Sequence, residues 1–226
     1  TLVLFRGEPP HEHPICGATC GHTDSTHPDV EWTAISDLST ITAGTESAPN
    51  YYYLTNNIEL TKEWDAPQYT VLDLNGYSIT MQQAGDAIKV TGSFTLTDCK
   101  GTAGKYGKIT HTADVNGRGV DVKPATTGGA ATFTMYGGSI YKNTASGDGG
   151  GVHVDQNGTF TMYDGEISGN NVLNPNYIHH GGGVSVDTGT FTMSGGTITN
   201  NKAPHGGGGV YVYNSSFVMS GNAAIT

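Results

Sequence analysis

An internal repeat constrains this chain more than any other feature. Four segments, Val120-Asp121-Val122, Val152-His153-Val154, Val184-Ser185-Val186 and Val210-Tyr211-Val212, each follow glycine and begin 32, 32 and 26 residues apart. A second phrase trails each one: Phe133-Thr134-Met135, Phe160-Thr161-Met162, Phe191-Thr192-Met193 and Phe217-Val218-Met219, with an earlier version at Phe94-Thr95-Leu96. A third column follows at Ile140, Ile167, Ile198 and Ile225. Within each run apolar and polar residues alternate with period two, so one face of every strand turns inward, and no 3.6-residue stripe competes.

Three short strands per repeat, separated by Gly-Gly, Asp-Gly or Ser-Gly corners where positive φ costs little, describe one coil of an all-β, right-handed, single-stranded parallel β-helix. Coils of such a solenoid stack about 4.8 Å apart, so Val meets Val, Phe meets Phe and Ile meets Ile, and each rung is buried only by its neighbours. Three residues beyond the third-column isoleucines stand Asn143, Asn170 and Asn201, which predicts an internal asparagine ladder. The plainer alternative is that Asn simply tolerates turns.

These patterns divide the chain into residues 71–226 as rungs, 36–70 as an N-terminal cap and 1–35 as a His/Cys-rich segment. The opening rungs are the less regular stretches Val71 to Ile79 and Asp86 to Val90. The cap carries a short helix around Ile35-Ser36-Asp37-Leu38 and a strand at Tyr51-Tyr52-Tyr53-Leu54, atypical first elements being what an open apolar end requires. No signal peptide or sorting tail is visible and the chain stops within a repeat, so a fragment of a larger protein is expected.

Composition narrows the classes further. Gly fills 34 positions and aromatic residues only 9%, a poor supply for a conventional core. With 13% charged residues and a mean hydropathy of −0.31, the chain is neither a highly charged disordered segment nor a membrane protein. A net charge of −10 with no basic stripe argues against nucleic acid as a partner.

The N-terminal segment gathers His11, His13, Cys16, Cys20, His22 and His27. Zinc takes about four such ligands, and Cys16, Cys20, His22 and His27 supply a closed Cys2His2 set for structural zinc, with His11 and His13 as alternates. A Cys16 to Cys20 disulfide with incidental histidines, or a free leader, are the competing readings. Cys99, after a predicted strand, reads as a small buried apolar residue.

Outward positions of the Val columns present Asp121 and Lys123, His153 and Asp155, Ser185 and Asp187, then Tyr211 and Tyr213. If Asp155 and Asp187 stand on adjacent rungs, their carboxyls approach the roughly 5 Å of retaining glycosidases, with His153 as proton carrier. Solvated aspartates are ordinary on an exterior face, however, and the pectinase-type phrases Asn-Thr-Asp, Gly-His-Gly and Arg-Ile-Lys are absent. Binding makes fewer demands: Tyr177, His179, His180, Tyr211, Tyr213 and His153 stack on sugars, while Asp155, Asp187 and Asn176 take hydroxyls. The insertion from Asn171 to His180 is the longest ornament on the coils, read either as a contact loop or as variable loop sequence. Runs such as Gly149-Gly150-Gly151 are solenoid corners and not a phosphate cradle, since no Lys-Ser or Lys-Thr follows them. Calcium at Asp155-Gln156-Asn157-Gly158 or Asp148-Gly149 lacks the nonapeptide calcium repeat.

The phrases Gly-Gly-Gly-Val-x-Val, Gly-Thr-Phe-Thr-Met and Gly-Gly-Thr-Ile-Thr-Asn-Asn resemble the pectin-lyase-like β-helix repeats of large adhesin-like surface proteins from anaerobic gut Firmicutes. The stretch from His11 to Trp32, then Tyr53-Leu54-Thr55 and Leu74-Asn75-Gly76, is similar to the entry region of those proteins. The resemblance implies an exported, wall-attached or secreted setting on a bacterial surface. The expected function is an adhesion, binding or stalk module contacting a host glycan or glycoprotein such as mucin or immunoglobulin. The alternative is a polysaccharide lyase or glycosidase working on one outward strand column.

Overall fold

The protein is described by a computed structural model covering residues 31–101, 103–126, 129–173 and 178–226. Its described part is all-β, with three long sheets in which every strand pair is parallel. The first sheet orders eight strands: Trp32–Ile35, Asn50–Leu54, Thr70–Asp73, Ser93–Thr97, Ala131–Met135, Gly158–Met162, Thr190–Met193 and Ser216–Met219. The second holds Trp64–Ala66, Ile88–Val90, Val120–Val122, Val152–Val154, Val184–Asp187 and Val210–Tyr213. The third runs Ile58–Leu60, Ile79–Met81, Lys108–His111, Ser139–Tyr141, Glu166–Ser168, Thr197–Thr199 and Ala224–Ile225. From Asn50 onward the chain visits the first, third and second sheets in rotation, returning each time one strand further along.

This order places like on like. Ile58, Ile79, Ile109, Ile140, Ile167, Ile198 and Ile225 are register partners in succession, a longer column than the four isoleucines that the repeat exposes. Phe94, Phe133, Phe160, Phe191 and Phe217 stack with neighbouring ring centroids 4.7 to 6.0 Å apart and planes within 18° of parallel. Of these rings, Phe94, Phe133, Phe160 and Phe191 are fully buried. Parallel pairing with an unchanging register therefore turns a sequence period into continuous apolar stacks, the main source of stabilisation here.

The bends repeat as faithfully as the strands. Gly138, Gly165 and Gly196 have φ of 89°, 101° and 76°, and a Cβ on Gly165 would sit 2.7 Å from the Gly138 carbonyl oxygen. Only glycine meets both demands, the left-handed backbone and the close approach of the neighbouring repeat. The predicted helix near Ile35 is instead the end of a strand, Trp32–Ile35, followed by one 3-10 turn at Leu38–Thr40. Asp37 caps that turn, its Oδ1 accepting the Ser39 N–H at 2.8 Å.

The asparagine ladder is present. Asn143 Nδ2 donates to Asn170 Oδ1 at 3.0 Å and Asn170 Nδ2 to Asn201 Oδ1 at 2.9 Å. Each amide also donates to a main-chain carbonyl, Asn143 to Ile109, Asn170 to Ile140 and Asn201 to Ile167. His111 heads the row, its Nδ1 lying 2.7 Å from Asn143 Oδ1. With both their donors and acceptors used, these side chains lie at a bend without leaving buried polar groups unmatched.

Two carboxylates are buried where the early repeats meet. Asp73 accepts the N–H groups of Asn75 and Cys99, and Asp98 those of Gly76, Gly101 and Gly107. Cys99 is itself only 2% exposed, in keeping with its expected burial. Burial pushes the Asp73 carboxyl up to about 6, against the hydrogen bonds that favour its charge, and the charge of Asp98 adds to the rise. A raised folded value means that the folded state holds its proton longer than the unfolded chain does. The contribution of Asp73 to stability is therefore complete below about pH 4 and is lost as pH climbs through about 6, a swing of about 3 kcal/mol. Urea midpoints measured across that window should depend less on pH in Asp73→Asn than in the parent, and equal slopes would refute the assignment.

Candidate functional site

The outward face of the second sheet, where the sequence suggests catalysis or sugar contacts, is occupied by pairing between repeats. His153 Nδ1 lies 2.7 Å from Asp121 Oδ1, and Lys123 Nζ lies 2.9 Å from Asp155 Oδ2. Asp155 also accepts the Gln156 N–H at 2.8 Å. Burial alone would raise the Asp155 carboxyl, but the hydrogen bonds from Lys123 and Gln156 outweigh it and hold the pKa below the ordinary carboxylate value. A carboxyl stabilised as an anion is a poor general acid. Asp187 is exposed at the end of Val184–Asp187 and is the register partner of Tyr213, which is 53% exposed.

A second group of the expected residues meets at the bend entering the same sheet. His180 donates its main-chain N–H to Asp148 Oδ1 at 2.6 Å, and its ring stacks on Tyr211 with centroids 3.9 Å apart and planes 15° from parallel. His179 Nδ1 is 3.6 Å from the same Asp148 oxygen. Asp148 in turn takes Arg118 Nε on its main-chain carbonyl at 2.8 Å. The Tyr211 face is thereby partly used within the protein. Tyr177 and Asn176, together with Cys16, Cys20, His22, His27, His11 and His13, lie outside the described residues. Among the described residues, no group of three or more His, Cys, Asp or Glu side chains is arranged to hold a metal ion.

A concavity lies elsewhere, at the bend that follows the third sheet. It is an open groove of about 770 Å³, within the size range of small-ligand sites. The chain leaves three of the third-sheet strands, Ser139–Tyr141, Glu166–Ser168 and Thr197–Thr199, through a left-handed residue, Lys142, Gly169 or Asn200, at φ of 52°, 64° and 56°. The inward asparagines of the ladder come next, and the following residues, Thr144, Asn171 and Lys202, stand in register again. Thr144–Ala145 and Asn171–Val172 form a short parallel sheet of their own. The groove lies along these two columns, walled by Thr110 to Asn116 of the preceding repeat and by Leu173. Beside it, the Tyr141 ring carries Lys108 Nζ at 4.5 Å and Lys142 Nζ at 5.2 Å from its centroid.

Of these lining residues, only Asn171 and Leu173 fall in a stretch that the sequence suggests for contacts, the insertion from Asn171 to His180. The signal that finds them is positional: they stand two and four residues beyond Ile140, Ile167 and Ile198, flanking the ladder asparagines on either side. Their residue types change from repeat to repeat, so they form no visible column. Chemically the groove offers amides, hydroxyls and two ammonium groups on rigid backbone, a set suited to ligands rich in hydroxyl and oxyanion groups.

Comparison of the chain with protein-family models, with curated proteins and with solved structures gave no match. No helix among the described residues is long and apolar enough to cross a membrane.

Proposed function

We propose that the chain is a right-handed parallel β-helix from an exported bacterial surface protein, and that it binds a glycan in the groove at the third bend. The fold reading rests on the rotation of the chain through three parallel sheets with constant register, and parallel crossovers are right-handed in about 98% of cases. The setting rests on the resemblance of the repeat phrases to adhesin-like surface proteins. The observation that carries the binding reading is the groove itself, in which Thr144, Asn171, Asn200, Lys142 and Lys202 line one concave surface. Sugars are recognised by such fans of fixed donors and acceptors, and fixing them on strands lowers the ordering cost of binding.

A glycan array probed with the whole chain, followed by calorimetry on any hit, tests this reading. Thr144→Trp should fill the groove and abolish binding. Asn171→Ala, which removes one amide, should weaken it about fivefold. Binding undiminished by Thr144→Trp would move the site off the groove, and silence across the array would reduce the chain to a stalk.

A further inference from the structure

We infer that the groove's ligand is an acidic glycan, one whose carboxylate or sulfate groups are held between Lys142 and Lys202. This rests on the groove being the glycan site. Among the described residues Lys89 is answered by Glu63 and Asp65, Arg118 by Asp86 and Lys123 by Asp155, whereas Lys62, Lys100, Lys105, Lys108, Lys142 and Lys202 face no carboxylate at ion-pair distance. Lys142 and Lys202 line the groove and, among the described residues, neither is within ion-pair distance of a carboxylate. In a chain of net charge −10 with only 10 Lys and Arg residues, two of them line this one concavity. A long-range field that repels anions makes local cations the natural capture points for an anionic chain.

The backbone adds a second indication. Lys142 occupies the left-handed bend position that Gly169 and Asn200 fill in the next two repeats. Glycine takes that conformation freely and asparagine readily, whereas lysine adopts it at a cost. Among the described residues the Lys142 ammonium meets no carboxylate, and it lies 5.2 Å from the Tyr141 ring centroid, beside the groove. Gly169, between Lys142 and Asn200, brings no side chain into the groove and leaves room there for a ligand group. Asp114, on the groove wall, is its one acidic residue and would discriminate against anionic groups placed on that side.

The test compares three oligosaccharides of equal length, one neutral, one built on uronic acids and one sulfated, by calorimetry at low and physiological salt. The parent chain should bind at least one acidic probe about tenfold more tightly than the neutral one, with the preference shrinking as salt rises. The arm that binds tells carboxylate from sulfate. Lys142→Gln together with Lys202→Gln should erase the preference, so that acidic and neutral probes bind alike, with the urea midpoint in place. Equal binding of all three probes, abolished by Thr144→Trp, would overturn the acidic assignment while sparing the groove. An acidic preference that survives the double glutamine variant would place the charge recognition elsewhere and also overturn it.

Discussion

Asn170→Ala should destabilise the protein by about 4 kcal/mol, read as a fall in the urea midpoint with an unchanged slope. Four groups lose a partner at once. The Asn143 N–H and Nδ2 both donate to Asn170 Oδ1 at 3.0 Å, while the Ile140 carbonyl and Asn201 Oδ1 both accept from its Nδ2 at 2.9 Å. Asn143 and Ile140 are fully buried, so water does not reach the Asn143 N–H or the Ile140 carbonyl without opening the stack, while Asn143 Nδ2 keeps the Ile109 carbonyl and Asn201 Oδ1 keeps the Asn170 N–H. Each such loss costs about 1 to 3 kcal/mol, and relaxation keeps the total below their sum. Asn170→Asp sharpens the test, because it preserves shape and acceptors but cannot donate when ionised. At neutral pH its penalty should equal or exceed that of alanine, since two carbonyl oxygens would face a carboxylate. A loss under about 1 kcal/mol for Asn170→Ala would mean that the ladder merely decorates the bend.

The same ladder shows what the sequence makes legible. Asparagine recurs at one offset from a recurring isoleucine, so both its presence and its partner can be counted off the chain. The Val, Phe and Ile columns are visible for the same reason: parallel pairing with constant register demands the same residue type at the same offset. The earlier members of the third column, Ile58, Ile79 and Ile109, are harder to see because their repeats differ in length and their second-sheet partners are Trp64 and Ala66 in place of valines. Outward positions carry no such demand. Asp155 reads as an available carboxylate until the register brings Lys123 against it, and His153 until Asp121 does the same. The groove was hidden for a related reason. Its residues share offsets but not types, and its shape comes from the bend between repeats, which no local pattern encodes.

Phe160→Ala should cost about 4 kcal/mol, and Phe217→Ala about half as much. Phe160 lies between Phe133 and Phe191, with centroids at 5.0 and 4.7 Å and planes within 10°, and none of its surface is exposed. Its removal opens a cavity bounded by a ring above and a ring below, neither of which can tilt far without breaking the register of its own strand. Phe217 stacks on Phe191 alone among the described residues, at 5.0 Å, and is half-buried, so truncation there removes one contact face and leaves a hollow that water reaches. If stability is a sum of nearest-neighbour terms along the stack, the ratio of the two losses reports the number of ring faces lost, two against one. Equal losses would instead indicate that the apolar interior behaves as one undivided core, with no account taken of which repeat is cut. Phe160→Leu separates ring stacking from volume: it keeps most of the apolar bulk, and a residual loss of about 1 kcal/mol is what the two stacked faces contribute beyond burial.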